Sequence, residues 1–175
     1  IATMANTNGA FGLRPIGVVG LAAHTTGATE YRIAAGATNT IFQGSPVIPL
    51  STGFIDKVGA AAGGTVGLVG VFWGCEYVSS TTGETIFANN WPGSGADTNH
   101  PVKAFVYDNP MQTFVICSDA SLTSEATARG HVFANANFAD GAAGSSTTGI
   151  SSAKLGVSTI ATTANTNTRR NAAQA

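Results

Sequence analysis

The stretch VGLVGVFWGCEYV, residues 66–78, decides the fold that we expect for this chain. It is rich in Val, Phe, Trp and Tyr, side chains that favour extended strands. Its glycines disfavour a helix, because each interior Gly costs roughly 1 kcal/mol relative to Ala. The overlapping apolar run at residues 58–73 is shorter than the ~20 residues of a membrane-spanning helix. We therefore predict one long strand with bulges or close backbone approaches at its glycines.

Short strand-like runs surround this stretch on both sides. Residues 30–33 alternate polar and apolar side chains, the pattern of a half-buried strand. Residues 85–87 are expected to pair back onto the long strand, and residues 102–107 and 113–117 are expected to form a hairpin around a turn at 108–111. Further strand candidates lie at residues 16–22, 47–50, 54–58, 131–138, 150–155 and 157–161.

One short helix is predicted at residues 122–129, with Thr123 or Ser124 as its N-cap and Gly130 at its end. Many short strands with regular turns favour an all-β fold, a β-sandwich or jelly-roll-like domain. We predict an extended N-terminal arm at residues 1–15, the β-sandwich domain at residues 16–161 and a polar C-terminal tail at residues 162–175.

The charge of the chain is unusually low. Only 10% of its 175 residues are Asp, Glu, Lys or Arg, against roughly 25% in a typical soluble domain, and the net charge is −1. Nucleic-acid binders need basic patches to neutralise phosphates, so no nucleic acid is expected as a partner. No membrane segment and no signal peptide are predicted either. Recognition should therefore rest on apolar and hydrogen-bonding contacts.

No catalytic, cofactor-binding or metal-binding site is predicted. Asp97 and His100 lie three residues apart near Ser94, but their loop is rich in Gly, Asn and Pro, so we interpret them as turn residues. Glu76 and Asp119 both follow strand-like runs and could meet as an acid pair, although solvation at strand ends explains them as well. The two cysteines, Cys75 and Cys117, are expected to be reduced and packed in strands, although a disulfide stays open.

Aromatic, apolar and basic residues outside the predicted strands are the candidates for partner binding. Aromatic and arginine side chains are frequent anchors of protein interfaces. The alternative is that each apolar side chain packs on the chain's own core. The candidates are Phe11, Leu13, Arg14 and Pro15 in the arm, Trp91 in a long loop, and Arg169 and Arg170 in the tail.

Six segments of the chain resemble, in order, a family of tailed-bacteriophage virion proteins. Members of that family open with a short polar stretch followed by an aromatic residue, Gly, an apolar residue, Arg and Pro, as MANTNGAFGLRP does here at residues 4–15. The other matching segments are QGSPV at 43–47, the strand at 67–73, VYDNP at 106–110 leading into Phe114 and Val115, GISS at 149–152 and TIATT at 159–163.

The resemblance implies a capsid decoration, or cement, protein with a β-sandwich related to the jelly roll. Such a protein binds the major capsid protein on the outer capsid surface of the virion, and we expect a homo-oligomer, a dimer or trimer, there. The family continues into another apolar strand where residues 166–175 of this chain are polar. The strand count and edge pairing therefore stay open.

Two other classes of function are kept beside this one. A carbohydrate- or receptor-binding β-module of a phage tail or adhesin would stack sugar rings on Trp91 or on the aromatic strand near Trp73. Decoration needs hundreds of copies per particle, whereas a receptor binder needs a few tens. A hydrolase on a jelly roll would need Glu76 or Asp119 as its acid or base.

Overall fold

The computed structural model describes residues 9–20, 27–60, 67–121, 124–132 and 134–161. Within those residues the chain forms ten strands and one short helix, which confirms the prediction of an all-β fold with at most one short helix. The elements are β1 (Arg14–Val18), β2 (Thr29–Ile33), β3 (Pro46–Pro49), β4 (Ile55–Lys57), β5 (Gly70–Val78), β6 (Thr85–Ala88), β7 (Val102–Tyr107), β8 (Gln112–Val115), α1 (Glu125–Gly130), β9 (Asn135–Ala139) and β10 (Lys154–Ala161).

The long predicted strand, β5, lies at the centre of an antiparallel six-stranded sheet. The strand order is β2-β7-β5-β3-β4, and β6 also pairs with β5. One edge of β5 pairs with β7, while the other edge pairs first with β3 and then with β6. The expected pairing of residues 85–87 with the long strand is therefore confirmed. The end strands β2 and β4 contact each other, so the sheet curves around its core.

The main hydrophobic core fills the concave side of this sheet. Successive side chains of β7 point to opposite faces of the sheet. Val102, Ala104 and Val106 are therefore buried in this core, while the residues between them are only half-buried. Phe72 and Cys75 of β5 face the same core. The other buried members are Ile33, Ile41, Val47, Ile55, Trp91 and Ala96.

A second, smaller core lies on the other side of β5. Two two-stranded sheets, β1-β8 and β9-β10, contribute to it. Leu13, Val71 and Ala153 are its buried members, and Phe114, Ile116 and Phe138 pack against them. Side chains of both small sheets thus pack against Val71 of the central strand through this second core.

Glycines in β5 allow the close contacts that the sequence predicted. A Cβ atom on Gly70 would lie 2.3 Å from the carbonyl oxygen of Tyr107, so only glycine fits beside β7 there. The register with β7 shifts between Phe72 and Gly74, which is a β-bulge. Trp73 is the extra residue of β5 at this bulge.

The predicted hairpin at residues 102–117 is wrong. β7 pairs with β2 and β5, whereas β8 pairs with β1 in a separate sheet. Asp108 at the end of β7 accepts hydrogen bonds from the Thr29 hydroxyl at 2.8 Å and from the Tyr31 hydroxyl at 2.9 Å. These bonds fasten the end of β7 to β2, and the turn then leads the chain into the other sheet.

The helix and the last strand differ from expectation only in their bounds. The hydroxyl of Ser124 accepts from the Thr127 amide at 3.2 Å, so Ser124 caps α1 as predicted. The two strands expected at residues 150–155 and 157–161 are one strand, β10.

Candidate binding surface

The segment before β1 is fixed to the domain by close backbone contacts. The amide of Leu13 donates to the carbonyl oxygen of Gly44 at 2.9 Å, and the Leu13 side chain is fully buried. Gly12 has a φ of 68°, and a Cβ there would lie 2.8 Å from both the Gly44 oxygen and the Ser151 Cβ. An ordinary side chain cannot replace glycine at such a contact.

These contacts place the last residues of the predicted arm on the domain. From Gly12 onward the chain packs against it, and β1 begins at Arg14. Leu13 packs in the second core with Val71 and Ala153, and in this conformation its side chain offers no surface to a partner. Residues 1–8 of the predicted arm lie outside the described residues.

A cleft lies where this segment meets β5. It has a volume of about 230 Å³, and we call it the Trp73 cleft. Phe11 and Trp73 supply its aromatic walls, and Arg14 and Gln43 are the polar side chains that line it. Leu13, Gly44 and Ile150 complete the lining.

Ring contacts hold two groups of the cleft in place. The Arg14 guanidinium lies over the Phe11 ring, 5.4 Å from its centroid, within the range of a cation–π interaction. Trp73 packs edge-on against Tyr107, with 5.3 Å between the ring centroids and 73° between the planes. The cleft therefore offers an aromatic wall and a cation that neighbouring rings already position.

A row of exposed apolar side chains follows the same strand. Ile16, Val19, Met111 and Val115 are between 39% and 56% exposed, and we call them the ribbon face. Alternation along β8 directs residues 111, 113 and 115 to one side. Val115 lies opposite Arg14, and the Val19 amide donates to the Met111 oxygen at 2.9 Å, so both strands contribute to that side. Adjacent exposed apolar side chains of this kind mark interaction surfaces.

Trp91 lies in the main core and not on the surface. It has no exposed area, exchanges two backbone hydrogen bonds with Ile41 and packs edge-on against Tyr77 at 5.4 Å. The bridge to Ile41 draws the loop aromatic inward, which corrects the prediction that Trp91 anchors a partner or stacks on sugar.

The other predicted partner-binding residues are placed as follows. Phe11 is half-buried and Arg14 is exposed, and both line the Trp73 cleft. Pro15 is half-buried opposite Phe114, at the inner side of the ribbon. Arg169 and Arg170 lie outside the described residues.

The residues considered for catalysis have structural partners. The Asp97 carboxylate accepts from the Asn99 amide at 3.0 Å and lies 2.9 Å from the His100 ring, and these contacts hold the pKa of Asp97 below its usual range. Glu76 forms an ion pair with Lys103 at 3.1 Å. Asp119 accepts from the amide of Val157 at 2.9 Å.

Among the described residues, no group of three or more His, Cys, Asp or Glu side chains could hold a metal ion. Within the same part of the chain, no helix is long and apolar enough to cross a membrane.

Comparison with known proteins found no match for this chain among protein-family models, curated proteins or solved structures.

Sequence reasoning missed the ribbon face and half of the cleft. The run at residues 16–22 reads as a buried strand because it is apolar, and only the structure shows that Ile16 and Val19 are exposed. Gln43, Trp73 and Ile150 come from three distant segments. No local pattern could have brought these three side chains together.

Proposed function

We propose that this chain is a structural virion protein that decorates and cements a phage capsid by binding the major capsid protein. The ribbon face supports a protein-binding role, and the sequence resemblance supplies the kind of particle. The same proposal places the chain on the outer capsid surface as a homo-oligomer, a dimer or trimer.

The observation that carries the proposal is the uncharged character of the ribbon face. Its four side chains are large, apolar and about half exposed. Full burial of such a side chain stabilises by about 1.5–3 kcal/mol, so covering the exposed half contributes roughly 1 kcal/mol each. Four contacts of this size give a modest affinity per copy, and an oligomer that grips several capsid subunits multiplies it by avidity.

The test compares variants in binding to capsids that lack the chain. Ile16→Ser combined with Val115→Ser removes two exposed apolar groups from opposite strands of the ribbon. The matched control is Phe87→Ser on β6, since Phe87 is 73% exposed and lies outside the ribbon. Bound chain per capsid subunit is measured by sedimentation of the particles.

We expect near-complete occupancy for the wild-type chain and for Phe87→Ser, and at least about ten-fold weaker binding for the double variant. Equal occupancy of the double variant would refute the ribbon face as the contact. Absence of wild-type binding to any capsid preparation would refute decoration itself.

A carbohydrate- or receptor-binding module stays the second candidate, and Trp73 is the observation in its favour. Its ring lines a cleft together with a guanidinium and an amide, groups that suit a sugar ring and its hydroxyls. A count of a few tens of copies per particle, instead of hundreds, would favour this candidate.

A further inference from the structure

We propose that the Trp73 cleft binds a peptide carboxylate: an Asp or Glu side chain next to an apolar residue in a segment of a partner protein. The identification of that partner as a capsid protein rests on the proposed function. The chemistry of the cleft stands on the residues that line it.

The positive charge of the Arg14 guanidinium has no carboxylate partner among the described residues. The other two arginines that the structure describes each have a carboxylate partner: Arg32 lies 3.9 Å from Glu30, and Arg129 pairs with Glu125. The Arg14 guanidinium forms neither an ion pair nor a hydrogen bond with any described residue. This guanidinium can therefore donate two hydrogen bonds to a carboxylate from outside the chain, in the bidentate geometry that arginine favours.

The Arg14 side chain is already held in position before a ligand binds. The Phe11 ring lies under the Arg14 guanidinium and limits its conformations before a ligand arrives. A side chain that is already held loses less conformational entropy on binding, which improves affinity without a new contact. The Gln43 side chain makes no hydrogen bond with a described residue, so its amide is free to bind a peptide group.

The cleft is small compared with pockets that bind whole ligands. The cleft volume of about 230 Å³ is below the roughly 300–1,000 Å³ of pockets that enclose a whole small ligand. It suits one or two side chains inserted from a larger partner. Trp73 and Ile150 provide apolar contacts for the residue beside the carboxylate.

The Trp73 cleft is continuous with the ribbon face. Arg14 belongs to β1 and lies opposite Val115, so the cleft and the ribbon face share a strand. A protein that covers the ribbon face would therefore reach the cleft.

The experiment titrates the full-length chain with the capped peptide acetyl-Gly-Leu-Glu-Gly-amide and with the same peptide carrying Gln for Glu. Binding is followed by the NMR signals of the two tryptophan indoles. We expect the Trp73 signal to shift and the buried Trp91 signal to stay in place. The Glu peptide should bind about five-fold more tightly than the Gln peptide.

The Arg14→Gln variant should lose this five-fold preference, and Arg14→Lys should retain part of it because the charge remains. Arg32→Gln is the matched control: it removes another exposed arginine, from β2, and it should retain the full preference. Thermal unfolding of each variant checks that the fold is intact.

Equal binding of the two peptides, shifts confined to residues outside the cleft, or an unchanged preference in Arg14→Gln would each overturn the proposal. Galacturonate is titrated as a second probe. Shifts at Trp73 with galacturonate and none with either peptide would also overturn it, in favour of a sugar site.

The capsid assay separates this proposal from the proposed function. If the Glu preference holds and no capsid binds the wild-type chain, decoration fails and the carboxylate site stands. If capsids bind the chain and the peptides show no preference, the carboxylate site fails and decoration stands.

Discussion

At the scale of single residues, burial makes the two cysteines chemically different. Cys75 lies in the main core and Cys117 is half-exposed, and the two form no disulfide with each other. Burial raises the pKa of the Cys75 thiol to about 12, from an ordinary value of 9.0. The unfolded chain releases this proton first as the pH rises. The contribution of Cys75 to stability is therefore complete below pH 9.0 and is lost between pH 9.0 and about 12.

We predict that iodoacetamide at a pH of about 8 modifies Cys117 of the native chain and spares Cys75, because the thiolate is the reactive form. Mass spectrometry of the peptides measures each modification. In urea both residues should react, which serves as the control. Equal modification of both residues in the native chain would contradict the buried position of Cys75.

Gly12 connects the segment before β1 to the domain. Gly12→Ala would place a methyl group against the Gly44 oxygen at a positive φ, so we predict a loss of about 2 kcal/mol in the free energy of unfolding. Gly9→Ala is the control, since a Cβ there meets nothing within 4 Å, and it should change stability by less than about 0.5 kcal/mol. Urea unfolding measures both, and equal effects would contradict the fixed segment.

At the scale of secondary-structure elements, the strands follow from local pattern and their partners do not. Alternation and β-branched content predicted β2, β5 and β7 because these signals are contained in the strands themselves. The hairpin at residues 102–117 failed because turn composition shows where the chain bends, not which strand it meets next. The partner of β8 is β1, almost one hundred residues earlier in the chain.

The candidate surface shows the same limit. The sequence predicted Phe11 and Arg14 as partner-binding residues, and both line the cleft. The sequence left Trp91 as either a partner anchor or a residue packed on the chain's own core, and its bridge to Ile41 places it in the core. Whether an aromatic side chain in a loop is buried depends on residues far away in the chain, and the sequence around it does not show these contacts.

Asp108 controls how β7 ends against β2. We predict that Asp108→Ala lowers the free energy of unfolding by about 1–3 kcal/mol, because the hydroxyls of Thr29 and Tyr31 both donate to this carboxylate. Amide hydrogen exchange should become faster in β2. The control Glu84→Ala removes an exposed carboxylate and should leave exchange in β2 unchanged. Unchanged exchange in Asp108→Ala would contradict this role.

At the scale of the whole molecule, the low charge and the apolar ribbon face both favour binding through apolar contacts. A chain with a net charge of −1 gains little from long-range electrostatic attraction. We predict that its affinity for capsids changes less than about three-fold between roughly 0.05 and 0.5 M NaCl, because apolar contacts are not screened. Sedimentation at each salt concentration measures this, and a loss of ten-fold or more would indicate a charged interface instead.

Image reconstruction of a virion that carries this chain tests the central claim most directly. The account predicts hundreds of copies at symmetric positions on the outer shell, each with Ile16, Val19, Met111 and Val115 turned toward the major capsid protein. A few tens of copies confined to the tail, or a ribbon face turned to solvent on every copy, would contradict it.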